Sequence, residues 1–149
     1  MIKELKGNLF RSDADVIVHG CNCFCTFGAG IAVQVKTFYP FAFAEDKKTK
    51  YGDRDKLGQY TSWSGDHFYI PNKKITVVNA YTQYYQRVEL KPLDYNALDM
   101  VMLKIKTFFK DKTIAMPKIG AGLAGGDWNK IKEIINNNFK EKEVRIYVL

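Results

Sequence analysis

The sequence predicts an α/β protein built on a mixed, largely parallel sheet. Three observations carry this. Apolar, β-branched runs of strand length alternate with amphipathic stretches of helical length. Two glycine-rich turns, at residues 19–32 and 116–128, each follow an apolar strand and precede a helix. The chain has 149 residues, 46% of them hydrophobic, enough to bury a core without disulfides or a structural metal. It reads as one domain, 1–149, with no internal repeat, linker or low-complexity segment.

The elements follow in order. Ile2 to Leu5 is a short edge strand, and Gly7-Asn8-Leu9-Phe10 is a turn. Ala14 to His19 is a strand that ends at Gly20. Ala29 to Tyr39 reads as a helix, with Ile31, Val35 and Phe38 on one face and Pro40 as its stop. Phe41 to Leu57 is polar and charged, a short helix and a loop. Gly58 to Trp63 is a strand turned by Ser64-Gly65-Asp66. His67 to Ile70 and Ile75 to Ala80 read as a strand pair around Pro71-Asn72, the second a central strand. Tyr81 to Lys91 is an aromatic and polar loop. Leu93 to Lys110 is a helix with Leu98, Val101, Met102, Ile105 and Phe109 on its apolar face. Thr113 to Met116 is a buried strand. Trp128 to Phe139 is a helix with Ile131, Ile134 and Ile135 inward, and Val144 to Leu149 is the last strand.

Lys and Arg number 23 against 16 Asp and Glu, a net charge of +7. A basic chain suits anionic partners, but the charges form no run or stripe, so nucleic-acid binding driven by charge alone ranks last. Cys21, Cys23 and Cys25 form an odd, tight cluster, which argues against a disulfide framework. They alternate, a spacing poor for zinc, which prefers Cys-x-x-Cys pairs. Free thiols, no metal and no cofactor are expected. The start, Met1 to Lys6, places charges where a signal peptide would be apolar. No run approaches the ~18 apolar residues needed to span a membrane. A reduced, cytoplasmic monomer is expected.

The chemistry sits in the two turns. Ligands of open α/β sheets bind beyond the carboxyl ends of the strands. Helix N-termini there offer unpaired N–H groups and partial positive charge to a phosphate. Glycines let the backbone approach and form an anion nest. Gly28-Ala29-Gly30 and Gly120-Ala121-Gly122 with Gly125-Gly126 meet that need, and ordinary tight turns are the alternative. Neither turn is a Walker motif, and Val33 stands where a GxGxxG would place its last glycine. His19 ends its strand facing the ligand end, where an ordinary pKa of about 6.5 suits proton transfer; a buried, hydrogen-bonded histidine is the alternative. Asn22 can orient a ribose hydroxyl or a water, or simply form a turn. Asp127 can act as a general base or cap the following helix. Phe27, Tyr81, Tyr84 and Tyr85 can stack on a base or pack internally, and Lys36 is solvated.

Taken together, these residues resemble the macro domain family, whose members bind ADP-ribose between two such loops. The matching strings are Lys6-Gly7-Asn8-Leu9-Phe10, Val18-His19-Gly20-Cys21-Asn22-Cys23, Gly28-Ala29-Gly30-Ile31-Ala32, Asn79-Ala80-Tyr81-Thr82-Gln83 and Pro117-Lys118-Ile119-Gly120-Ala121-Gly122-Leu123. They run along the whole chain. They look most like the branch holding the ADP-ribose-1″-phosphate phosphatases and the terminal ADP-ribose glycohydrolases.

The resemblance implies a three-layer α/β/α fold and a hydrolase acting on an ADP-ribose derivative, with ADP-ribosylated macromolecules as further partners. It places Asn8, with Leu9, at the adenine, where the family usually has aspartate. It places Asn22 and Cys21 by the distal ribose, Gly28, Ala29, Gly30, Ile31 and Ala32 around that ribose and the diphosphate, and Tyr81 over the site. Gly120, Ala121, Gly122, Leu123, Ala124 and Gly125 form the second diphosphate loop. His19, Asn22 and Asp127 are the expected catalytic residues, for hydrolysis of the phosphate of ADP-ribose-1″-phosphate. The alternatives are removal of ADP-ribose from protein or nucleic acid, and a non-catalytic reader. Tyr81-Thr82-Gln83 supplies no lysine and Ala124 replaces an aspartate, which weighs against a lysine-based deglycosylation. Small size and Lys/Asn-rich composition suit a phage or microbial protein.

Overall fold

The computed structural model describes residues 1–149, the side chain of Val88 excepted. Six strands form one sheet: β1 (Ile2–Lys6), β2 (Val16–Cys21), β3 (Tyr60–Asp66), β4 (Lys74–Tyr81), β5 (Ile114–Met116) and β6 (Val144–Val148). Their order is β1-β6-β5-β2-β4-β3. Every ladder is parallel except β3–β4. Four α-helices cover it: α1 (Ile31–Phe38), α2 (Pro40–Lys47), α3 (Tyr95–Phe108) and α4 (Trp128–Phe139).

The strand alternation sorts the core into two layers. Val16 and Val18 of β2, Val78 and Ala80 of β4, and Ile114 and Met116 of β5 face one way. They pack with Leu98, Val101, Met102 and Ile105 of α3 and Ile131 and Ile135 of α4. Ile17 and Cys21, Val77 and Tyr81, and Ala115 face the other way, against Val35 of α1 and Ala42 of α2. The protein is therefore a three-layer α/β/α fold: the alternation of elements predicts the α/β class, and the family resemblance implies the three layers. Among the described residues, no helix is long and apolar enough to cross a membrane.

Most elements end within two residues of the sequence reading, and four differences from it have a clear local cause. The first helix starts at Ile31 rather than Ala29, because Gly30 has φ 59° and ψ −139°, a conformation that side chains resist. Pro40 ends α1 but also opens α2, since its missing N–H costs nothing in a first turn. Ser64-Gly65-Asp66 is not a turn. It continues β3, pairing with Thr76, Ile75 and Lys74. Gly65 is needed there because the Trp63 indole lies across the place of a Cβ, 2.3 Å away. His67 to Ile70 is not a strand. The His67 Nδ1 accepts from the amides of Tyr69 and Ile70, both at 3.0 Å, and Nε2 donates to the Ser12 carbonyl at 2.9 Å. That ring anchors a turn, closed by Asn72 at φ 60°.

Candidate functional site

β2 and β5 are neighbours in the sheet. After β2 the chain runs through α1 and α2 to β3 and β4 on one side. After β4 it returns through α3 to β5 on the other side. The connections thus diverge between β2 and β5, the place where open α/β sheets bind ligands. The two glycine-rich loops leave the carboxyl ends of these strands and face each other across a cavity of about 720 Å³. Of the lining residues, Lys118 alone carries a charge at neutral pH among the described residues. The cavity suits an anionic ligand.

The first loop ends in Gly30, whose positive φ turns the chain into α1. The Ile31 and Ala32 amides, the first two of α1, have no intrahelical acceptor, and both residues line the cavity; the Val33 amide donates to the Gly30 carbonyl. Asn22 organises the loop: its Oδ1 accepts from the Phe24 amide at 2.8 Å, and its Nδ2 donates to Thr26 Oγ1 at 2.9 Å. The second loop is folded on itself. The Gly126 amide donates to the Gly120 carbonyl at 2.8 Å, and the Gly125 amide to that of Gly122 at 3.0 Å. Leu93 packs where a Cβ on Gly120 would stand, 2.8 Å away. A Cβ on Gly28 or Gly122 would meet open space, so both present bare backbone.

The expected residues divide clearly. His19, Cys21, Asn22, Gly28, Ala29, Gly30, Ile31, Ala32, Gly120, Ala121, Gly122, Leu123 and Ala124 line the cavity. Asn8, Leu9, Tyr81, Gly125 and Asp127 are not among the lining residues. Asn8 caps a 3-10 turn at Leu9–Arg11, its Oδ1 accepting from the Phe10 amide at 2.9 Å. Leu9 is buried in the core. Tyr81 is also buried, its hydroxyl donating to Asp46 Oδ1 at 2.6 Å. Gly125, at φ 75°, backs onto Lys91. Asp127 caps α4, Oδ1 accepting from the Asn129 amide at 2.9 Å.

His19 is buried, and its ring lies edge-on to Phe27 with centroids 5.1 Å apart. Its Nε2 is 2.7 Å from Asn79 Oδ1. Burial lowers its pKa from 6.5 to about 4, against the smaller opposing pull of the Asn79 hydrogen bond. The expectation of a histidine titrating near neutrality is therefore corrected: the ring is neutral at pH 7. Burial also raises the Cys21 thiol well above its usual range and Cys23 to about 11, so both are protonated thiols.

Sequence reasoning missed Thr26, Gln83, Gln86 and Lys118 as lining residues. Lys118 lies inside the second turn, so its position alone could have marked it. Asn79 was missed as the partner behind His19; its signal is the register of β2 on β4, which a sequence does not print.

An α/β sheet with two glycine loops at its switch point, closing on a cavity whose charged lining residue is Lys118, has the architecture of proteins that bind phosphorylated ligands. The sequence profile described as Macro domain matches residues 18–135, and the chain belongs to the macro domain family. It is 34% identical to the 17.5 kDa protein of the tk-vs intergenic region of Enterobacteria phage T4, over 98% of this chain and 95% of that one. It is 30% identical to an ADP-ribose 1″-phosphate phosphatase of Debaryomyces hansenii, over 100% and 99% of the two chains. Its fold matches Thermosipho africanus DarTG in complex with ADP-ribose, with a TM-score of 0.81 and 17% identity, over 99% of this chain and 41% of that one.

Proposed function

We propose that this protein binds ADP-ribose with its diphosphate between the two loops and hydrolyses the phosphate of ADP-ribose-1″-phosphate. The observation that carries the reading is the facing pair of glycine loops at the β2–β5 switch point. The Debaryomyces relative, named as this phosphatase, matches along the whole chain and supports it. In the reaction a water attacks phosphorus, a new P–O bond forms, and the bond to the ribose oxygen breaks. Orthophosphate and ADP-ribose leave. Loop amides stabilise charge on the phosphoryl oxygens. No carboxylate lines the cavity among the described residues. The water's proton therefore passes to His19 or to the substrate phosphate and from there to the leaving ribose oxygen, with Asn22 holding the first loop. Asp127 is assigned to the α4 cap.

Calorimetry with ADP-ribose and AMP, followed by orthophosphate release from ADP-ribose-1″-phosphate, tests this. Expected are preferential binding of ADP-ribose, turnover by the wild type and loss of turnover in His19→Ala. Release of ADP-ribose from a modified protein or oligonucleotide, with no orthophosphate, moves the activity to that bond. Tight binding with no turnover makes the protein a reader.

A further inference from the structure

Behind the cavity, beneath α1 and α2, lies a chain of buried polar side chains. His19 and Asn79 stand opposite each other in the β2–β4 ladder. The Asn79 amide has one possible orientation. Its Nδ2 is 2.9 Å from the Ala42 carbonyl and 3.1 Å from Thr61 Oγ1. A carbonyl only accepts, so the amide NH2 must face it. The atom 2.7 Å from His19 Nε2 is then Asn79 Oδ1. Oxygen there cannot donate, so Nε2 carries the proton. A neutral imidazole has one N–H, and Nδ1 keeps its lone pair.

The chain continues in the same sense. Thr61 Oγ1, accepting from Asn79, donates to the Tyr81 hydroxyl at 2.9 Å. Tyr81 donates to Asp46 Oδ1 at 2.6 Å. Asp46 is fully buried; its Oδ1 accepts from Tyr81, and its Oδ2 has no hydrogen-bond partner among the described residues. From His19 through Asn79, Thr61 and Tyr81 the donors run in one sense to Asp46, Asn79 donating to the Ala42 carbonyl as well, and aligned bonds of this kind polarise one another. An amide does not relay protons, so the chain transmits orientation rather than charge.

We propose that Asn79 is a positioning residue for this site. It holds His19 in the Nε2–H form, so that Nδ1 is the ring atom that accepts from ligand or water, and Thr61, Tyr81 and Asp46 hold Asn79 in turn. Besides Asn79, His19 contacts the Cys21 thiol, whose Sγ lies 3.6 Å from Nε2 and 3.8 Å from Nδ1, and the Phe27 ring. Neither carries charge at neutral pH. Lys56 faces the far end of the chain, its Nζ 5.4 Å from the centre of the Tyr81 ring. The catalytic consequence rests on the hydrolytic reading; the tautomer does not.

Nitrogen-15 spectra of histidine-labelled protein at pH 7 test the tautomer directly. There are two histidines, and His19→Asn assigns them. Expected for His19 is a protonated Nε2 and an unprotonated Nδ1; the reverse form or a mixture overturns the proposal. Asn79→Asp sets a carboxylate against Nε2, and His19 should then titrate at least ~2 pH units higher. An unmoved titration counts against the proposal. Asn79→Leu should lower kcat for orthophosphate release by at least about tenfold while ADP-ribose affinity stays within about threefold. A parallel loss of both, or no loss, sinks it. If either variant fails to fold, the wild-type spectrum still decides. If the wild type releases no orthophosphate, the hydrolytic reading fails while the spectrum stands.

Discussion

His19 makes stability depend on pH in a window that carboxylates leave largely free. Its folded pKa of about 4 lies below its ordinary 6.5, so between those values the unfolded chain binds a proton that the folded one refuses. Stability is full above pH 6.5 and falls as the pH drops toward 4, below which both states are protonated. Each pH unit of separation is worth about 1.4 kcal/mol, so the full effect is about 3.4 kcal/mol. At pH 5 it has reached about 2 kcal/mol. With a urea slope of roughly 2 kcal/mol per molar, the midpoint should move down by about 1 M between pH 7.5 and pH 5. His19→Asn removes the titration. The comparison is of slopes, so a change in baseline stability does not matter. Asp46, whose carboxyl burial pushes up, and Asp15, which Lys73 holds at about 2, contribute equally to both proteins and cancel. Urea melts of wild type and variant at pH 7.5, 6 and 5 give the answer. Parallel midpoints across that range would refute the claim that His19 is buried neutral.

Two further outcomes follow from the loops. Asp127→Ala removes the α4 cap and should cost about 1 kcal/mol in urea melts, with phosphate release kept at the wild-type rate. Lost turnover at unchanged stability would return this carboxylate to the reaction. Gly30→Ala has room, since its Cβ would stand 3.6 Å from Leu123, but the backbone at φ 59° and ψ −139° resists it. The strain should cost about 1–3 kcal/mol and weaken ADP-ribose binding in calorimetry; unchanged affinity would show that the loop tolerates the substitution.

Legibility followed what each signal depends on. The α4 helix was readable to the residue because its start carries a cap and its apolar face is periodic. The paired loops were readable because glycine marks bare backbone. The β3 extension was not, since Ser64-Gly65-Asp66 has turn composition and only the Trp63 indole lying across Gly65 explains it. Position along a loop also failed to predict approach to the cavity. Asn8 and Tyr81 belong to matching strings, yet local geometry turns one into a cap and the other into the core. The chain from His19 through Asn79, Thr61 and Tyr81 to Asp46 was invisible because all four of its links join residues 18 to 60 apart in sequence.

The strand order also bears on how the chain acquires its shape during synthesis. β1 is made first but pairs only with β6, which is made last and inserts between β1 and β5. Until residues 144–148 leave the ribosome, the sheet stops at β5 and the first strand has nowhere to dock. Such a long-range closure is slow by its nature, and the nascent chain carries two open strand edges in the interval. A cut just before Val144 would therefore remove more than a terminal strand: it would strand β1 and leave the β5 side of the ligand cleft without its flank.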